Sequence, residues 1–154
     1  MAAKILIVDD MPDAIEFIPE WLQHEGYETA MATRGQQALA LAEEIRPDLI
    51  LLDVMMPGMD GIETCRRLRM NPTTADIPVV LVSARSPSEA RAEGLLAGAT
   101  DYIPKPVHFA DLLERVRRLL RLEESGPPDH LRMLEETAWR GALPGLNPGS
   151  GRRA

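Results

Sequence analysis

The chain has 154 residues, 45% hydrophobic and 27% charged, the proportions of one soluble globular domain with room for an ordinary core. Its formal net charge of −7 argues against recognition of nucleic acid or an anionic membrane through bulk charge. With Cys65 as the single cysteine, no intramolecular disulfide can form. The N-terminus MAAKILIVDD lacks a signal-peptide core, and aliphatic runs such as LILL are far too short to cross a bilayer, so a reducing, cytoplasmic setting is expected.

In chain order, the first aliphatic run, KILIVDD from Lys4, ends on paired acids and precedes a helical stretch, PDAIEFIPEWLQHEG. Pro19 lies inside that stretch, where its missing N–H should bend or shift the helix. A second strand, ETAMAT, leads to GQQALALAEEIRP, in which Ala38, Leu41, Ala42 and Ile45 make one apolar helical face before Pro47 stops it. The third strand, DLILLD, ends at Asp53 and runs into the Met-Met-Pro-Gly-Met loop and a helix carrying Cys65. IPVVLVS and DYIPK supply strands four and five. In the last helix, DLLERVRRLLRLEE, Leu112, Leu113, Val116, Leu119 and Leu120 form the inner face. Asp111 is placed to cap it, and Arg115, Arg117, Arg118 and Arg121 lie on an outer, solvated face.

Short strands that could be buried on both faces, alternating with helices, predict βα units and a parallel sheet covered on both sides. Five strands and five helices by about residue 124 make a doubly wound (βα)5 unit, a three-layer αβα sandwich, over residues 1–124. Residues 125–154 read as a Pro/Gly-rich linker or tail, with a short amphipathic helix expected over 129–140 from Leu131, Leu134 and Ala138. The tail carries four basic and three acidic residues, so the first 124 residues hold a net charge of −8.

Open parallel sheets bind ligands beyond the carboxyl ends of their strands. There the sequence puts Asp9 and Asp10 after strand one, Asp53 after strand three, Ser83 after strand four and Lys105 after strand five. If strands one and three are neighbours, three carboxylates meet on one rim with a hydroxyl and an ammonium. Such acids need a cation, and carboxylate oxygens with room for water suit Mg²⁺. A carboxylate beside Mg²⁺ and a lysine can attack a phosphoryl group, a reaction promoted chiefly by in-line positioning and by cations that absorb charge.

These motifs, VDD, LLDVMMPGMDG, LVSA and DYIPKP, resemble in order and spacing the receiver domain of two-component response regulators, over residues 4 to about 122. The resemblance implies a flavodoxin-like sheet of order 2-1-3-4-5. It implies that Asp53 accepts a phosphoryl group from a phosphohistidine on a histidine kinase or phosphotransfer protein. Asp10 is then a direct Mg²⁺ ligand and Asp9 one acting largely through water, with Asp53 and the backbone carbonyl of Met55 completing the protein's share. Lys105 binds the phosphoryl group, held by a cis bond to Pro106. Ser83 and Tyr102 correspond to the switch pair, the hydroxyl bonding the phosphoryl oxygen and the ring turning inward, while Ala84 leaves the approach open. The output surface implied is the fourth helix, fifth strand and fifth helix, where Arg91, Asp101, Glu114 and Arg118 would pair in a homodimer. Met55 and Arg85 stand at the two positions that tend to set hydrolysis rate in the family, and their bulk suggests a long-lived phosphoryl group.

Other residues read more plainly. Soft thioethers suit Mg²⁺ poorly, so Met56 is expected to pack and Met59 to be half-exposed. His24, His108 and His130 show no ligand spacing and should face solvent, and Cys65 is expected to be a small buried or half-buried residue. The chain is thus expected to be a non-enzymatic signalling receiver, acting on a downstream protein or fused output domain. The alternative is the regulatory front of a larger enzyme such as a diguanylate cyclase, because ALPGLNPGSGRRA weakly echoes the LTGLPNRRA-like start of such domains.

Overall fold

The computed structural model describes residues 2–84 and 87–125. The tail helix expected over 129–140, His130 and Arg85 lie outside the described residues.

Five strands alternate with five helices: β1 (Lys4–Val8), α1 (Pro12–His24), β2 (Glu28–Ala32), α2 (Gly35–Ile45), β3 (Leu49–Asp53), α3 (Gly61–Met70), β4 (Val79–Ser83), α4 (Pro87–Ala97), β5 (Asp101–Pro104) and α5 (Phe109–Ser125). All neighbouring strands pair in parallel, in the order β2-β1-β3-β4-β5. The expected doubly wound sheet is therefore present, and β3, flanked by β1 and β4, is buried along its whole length.

Alternation along the strands divides the core in two. Leu6, Val8, Ile50, Leu52, Val79 and Leu81 pack towards α2, α3 and α4 with Ala38, Ala42 and Leu68. Ile5, Ile7, Leu49, Leu51, Val80 and Val82 pack towards α1 and α5 with Leu22, Leu112 and Val116. Hydrophobic burial on both faces leaves the rims of the sheet as the place for polar chemistry.

The helix α1 runs through Pro19 to His24, as the sequence pattern expects, with Ile18 and Leu22 buried on either side of that proline. Two local expectations need adjusting. The helix α5 begins two residues earlier than expected, with Leu112 N–H donating to the His108 carbonyl at 3.0 Å. Asp111 therefore sits inside the first turn and accepts from Arg115 Nε at 3.1 Å instead of capping. Finally, Arg115 is half-buried and not part of a solvated stripe. Its guanidinium reaches the Asp101 carboxylate at 3.0 Å and the Tyr102 carbonyl at 2.8 Å.

A structural anchor lies at the opposite end of the sheet from the acids. The half-buried Arg69 donates to the carbonyls of Gly98 (2.8 Å), Ile77 (2.7 Å) and Ala75 (3.1 Å), tying the end of α3 to the end of α4 and the start of β4. Gly98 has φ +98°, a conformation that favours glycine, and a Cβ there would sit 2.7 Å from the Arg69 stem.

Candidate functional site

The sheet order brings the ends of β1 and β3 side by side, and with them the acids. Asp53 is the last residue of β3 and only 3% exposed. Asp9 and Asp10 follow β1, and one oxygen from each of the three carboxylates lies within 4.8 Å of the others. The backbone positions them: Asp9 N–H bonds the Ala32 carbonyl at 3.0 Å, and its Oδ1 accepts the Met11 N–H at 2.8 Å, an Asx turn that fixes the carboxylate. At Asp53, Oδ1 faces the Met55 N–H at 3.4 Å. Behind Asp53, Gly61 packs so closely on its carbonyl that any Cβ there would collide. Asp60 caps the start of α3 by accepting the Glu63 N–H at 2.9 Å.

From the other side come Ser83 and Lys105. Ser83 is fully buried at the end of β4. Its carbonyl accepts the Lys105 N–H at 2.8 Å and the Tyr102 hydroxyl at 3.2 Å. The Lys105–Pro106 peptide is cis, as the resemblance implied. Lys105 Nζ stands 3.1 Å from Asp9 Oδ2 and 3.4 Å from Asp53 Oδ1. Tyr102 is buried, with its ring inside the core. Ala84 is exposed, Met56 is buried and Met59 half-buried. The Met55 side chain is 57% exposed.

The electrostatics follow from this geometry. Burial, helped by the nearby Asp9 charge, pushes the Asp53 carboxyl up from 3.8 to about 6; the Lys105 ammonium and the Met55 N–H offset this only in part. For Lys105, burial alone would favour the neutral amine, but the Asp53 and Asp9 carboxylates outweigh it and hold the ammonium above its ordinary range. Three carboxylates against one ammonium leave a deficit of positive charge. Asp10 Oδ1 is buried with no hydrogen-bond partner. A hard divalent cation with oxygen ligands, Mg²⁺ above all, fits that donor set and would satisfy the orphaned oxygen.

The sequence reading thus named Asp9, Asp10, Asp53, Ser83, Tyr102 and Lys105, and the fold gathers all six. It missed the roles of Arg69 and Arg115, whose long side chains reach backbone carbonyls in other elements. Only the four-residue spacing of Asp111 and Arg115 hinted at one of them.

A doubly wound parallel sheet that gathers three acids and a lysine at its carboxyl edge is the architecture of a receiver-type signalling domain. Residues 5–117 match the family model described as the response regulator receiver domain, and the chain belongs to that family, which serves two-component systems. It is 46% identical over 123 residues to the response regulator PleD of Caulobacter vibrioides, covering 80% of this chain and 27% of PleD. A crystal structure of a putative response regulator from Chloroflexus aurantiacus superposes with TM-score 0.75 at 35% identity, covering 79% of this chain and 99% of that one. The receiver domain of the sensor histidine kinase PA1611 from Pseudomonas aeruginosa, solved with magnesium in its active-site cleft, gives TM-score 0.73 at 30% identity, covering 79% of this chain and 99% of that one. The chain therefore spans little more than a quarter of PleD's length. Among the described residues, no helix is long and apolar enough to cross a membrane.

Proposed function

We propose that this receiver accepts a phosphoryl group on Asp53 from a phosphohistidine of a histidine kinase or phosphotransfer protein, in a Mg²⁺-dependent reaction in the cytoplasm. The observation that carries this reading is the orphaned Asp10 Oδ1 beside Asp9 and Asp53, with Lys105 Nζ already bridging the other two acids. Asp9, Asp10, Asp53 and the Met55 carbonyl would hold Mg²⁺, which supplies positive charge for the phosphoryl oxygens and lowers the repulsion met by an incoming anion. The protein's own residues do the rest. Asp53 attacks phosphorus in line, the P–N bond to the donor imidazole breaks, and the imidazole leaves with its electron pair. Lys105 moves from its two carboxylate partners onto a phosphoryl oxygen, and the Ser83 hydroxyl bonds another.

The signal follows from differential binding. Only the phosphorylated site offers Ser83 and Lys105 these extra contacts, so they bias the domain towards its active arrangement. The Tyr102–Ser83 hydrogen bond carries the bias to β5. A homodimer through α4, β5 and α5 would use Arg91, Asp101, Glu114 and Arg118. Since Asp101 is held within the chain by Arg115 at 3.0 Å and Arg118 at 3.5 Å, dimerisation means exchanging one of these pairs for a contact between copies.

Residues 1–124 form the receiver unit in this reading, and 125–154 link it to an output. The 27% share of PleD favours a second reading in which this is the regulatory segment of a longer protein, with the output supplied by a fused enzyme domain such as a diguanylate cyclase. Direct binding of nucleic acid or membrane by the receiver itself is not part of either reading.

The test is labelling with acetyl phosphate, with and without Mg²⁺, followed by intact mass. Asp53→Asn should abolish uptake and Asp9→Asn should slow it. Labelling that survives Asp53→Asn overturns the assignment. Loss of the label within seconds would count against the shielding expected of Met55.

A further inference from the structure

We infer that the groove between α3 and α4 is a docking surface for an amphipathic helix with aliphatic anchors and basic flanks, and that its opening is set by the phosphoacceptor site. The inference rests in part on the function proposed above, and its second half fails if that reading fails. The groove is a cavity of about 360 Å³ lined by Asp60, Ile62, Glu63, Arg66, Glu93 and Leu96. Its floor is the buried Ile62 and its lip is Leu96, a leucine 87% exposed, with the adjacent Leu95 also 51% exposed. Leu96, on the last turn of α4, is an aliphatic lip to the groove that gains by being covered. The volume suits one or two aliphatic side chains, the anchors of a helix laid into a groove.

Charge selects the partner. The lining carries three carboxylates and one guanidinium; Glu63 is paired with Arg66 at 2.6 Å and with Arg67, beside the groove, at 2.9 Å, so the charge offered to a visitor comes from the acidic lining taken with the acidic domain around it. The first 124 residues as a whole carry net charge −8. An acidic visitor would be repelled, and a helix with Lys or Arg beside its leucines is complementary.

The walls of the groove are seated on the strands that carry the site. The first residue of α3, Gly61, lies against the carbonyl of Asp53, where a Cβ would also come within 2.7 Å of Val54 Cα. In α4, Gly94 lies against Leu81, two residues before Ser83 on β4, so closely that a Cβ would collide. At Gly61 the contact is backbone on backbone, and at Gly94 it runs through the packed side chain of Leu81, so a shift of β4 relative to β3 at the rim is passed to the separation of α3 and α4.

The probe is a fluorescein-labelled helical peptide of about 15 residues built from leucine and lysine in a helical apolar period. A scrambled peptide of the same composition is the control. Anisotropy is read on the whole chain, with amide chemical shifts to locate the contact. The patterned peptide should bind, shift residues of α3 and α4, and bind at least about tenfold more weakly to Leu96→Ser and Glu93→Lys. Equal binding of the scrambled peptide, equal binding by the variants, or shifts centred on α1 or α5 would overturn the docking surface. Both variants lie outside the acid site and should still take up label from acetyl phosphate, which reports that they are folded. Phosphorylation, verified by mass, should change the affinity at least about threefold; an unchanged affinity on labelled protein overturns the coupling. If Asp53 takes no label, the proposed function fails while the binding measured on unlabelled protein still decides the groove.

Discussion

The two ends of the sheet treat their charges in opposite ways. At the amino end, the Arg69 guanidinium satisfies three carbonyls from two separate segments, and Asp48 Oδ2 accepts the Lys4 N–H at 2.8 Å. At the carboxyl end, three acids crowd round one lysine, an Asp10 oxygen is buried without a partner, and the Asp53 carboxyl is pushed up to about 6. One end is built for stability. The other holds an electrostatic imbalance that a cation and a phosphoryl group can use.

The largest effect expected at the imbalanced end is that of Lys105→Met. Removing the ammonium that touches Asp9 and Asp53 should slow phosphoryl uptake by about 10²–10³-fold, as loss of one charge-stabilising donor does, measured as the rate of labelling by acetyl phosphate. At the satisfied end, Arg69→Met should cost about 3 kcal/mol in urea unfolding, because three half-buried carbonyls lose their donor together. Mg²⁺ affinity should stay the same. If labelling falls in step with stability, the two ends are not separate.

The third prediction sets the acid site against stability. The Asp53 carboxyl is raised from 3.8 to about 6, so the folded, Mg²⁺-free protein binds this proton more tightly than the unfolded chain. Its stabilising contribution is complete below 3.8 and is lost as the pH rises through about 6. Ionised Asp53 then costs about 2–3 kcal/mol at neutral pH. Asp53→Asn should therefore be the more stable protein at pH 7.5 without metal, by about that amount, and the advantage should vanish by pH 4 in chemical unfolding. A pH-independent difference would show that charge is not its origin. The smallest effect belongs to Asp60→Ala, which removes the α3 cap and should cost about 1 kcal/mol while leaving the labelling rate within about twofold.

Much of the acid end was legible in the sequence because it depends on where aliphatic strands stop. KILIV followed by two acids, LILLD and VVLVS each place a polar group at the end of a buried run, and a parallel sheet aligns those ends. The neighbour relation of β1 and β3 was less accessible, since strand order is a property of crossovers and came from the family pattern. The satisfied end was nearly illegible. Arg69 and Arg115 look like any arginine on an amphipathic helix, and the carbonyls they meet belong to segments brought close only by folding. Asp111 misled for a related reason: an acid before an apolar run resembles a cap, but Phe109 extends the helix by packing against Trp21, with ring centroids 5.0 Å apart.

The hydrogen bond from the Tyr102 hydroxyl to the Ser83 carbonyl also offers an optical and magnetic handle. The chain has two tyrosines, and the other, Tyr27, lies before β2, half-buried. Uniform 3-fluorotyrosine would therefore give two ¹⁹F resonances, one at the junction of the site with β5 and one as an internal standard. The state of a single strand end could be followed in a cell extract without touching any residue of the acid cluster.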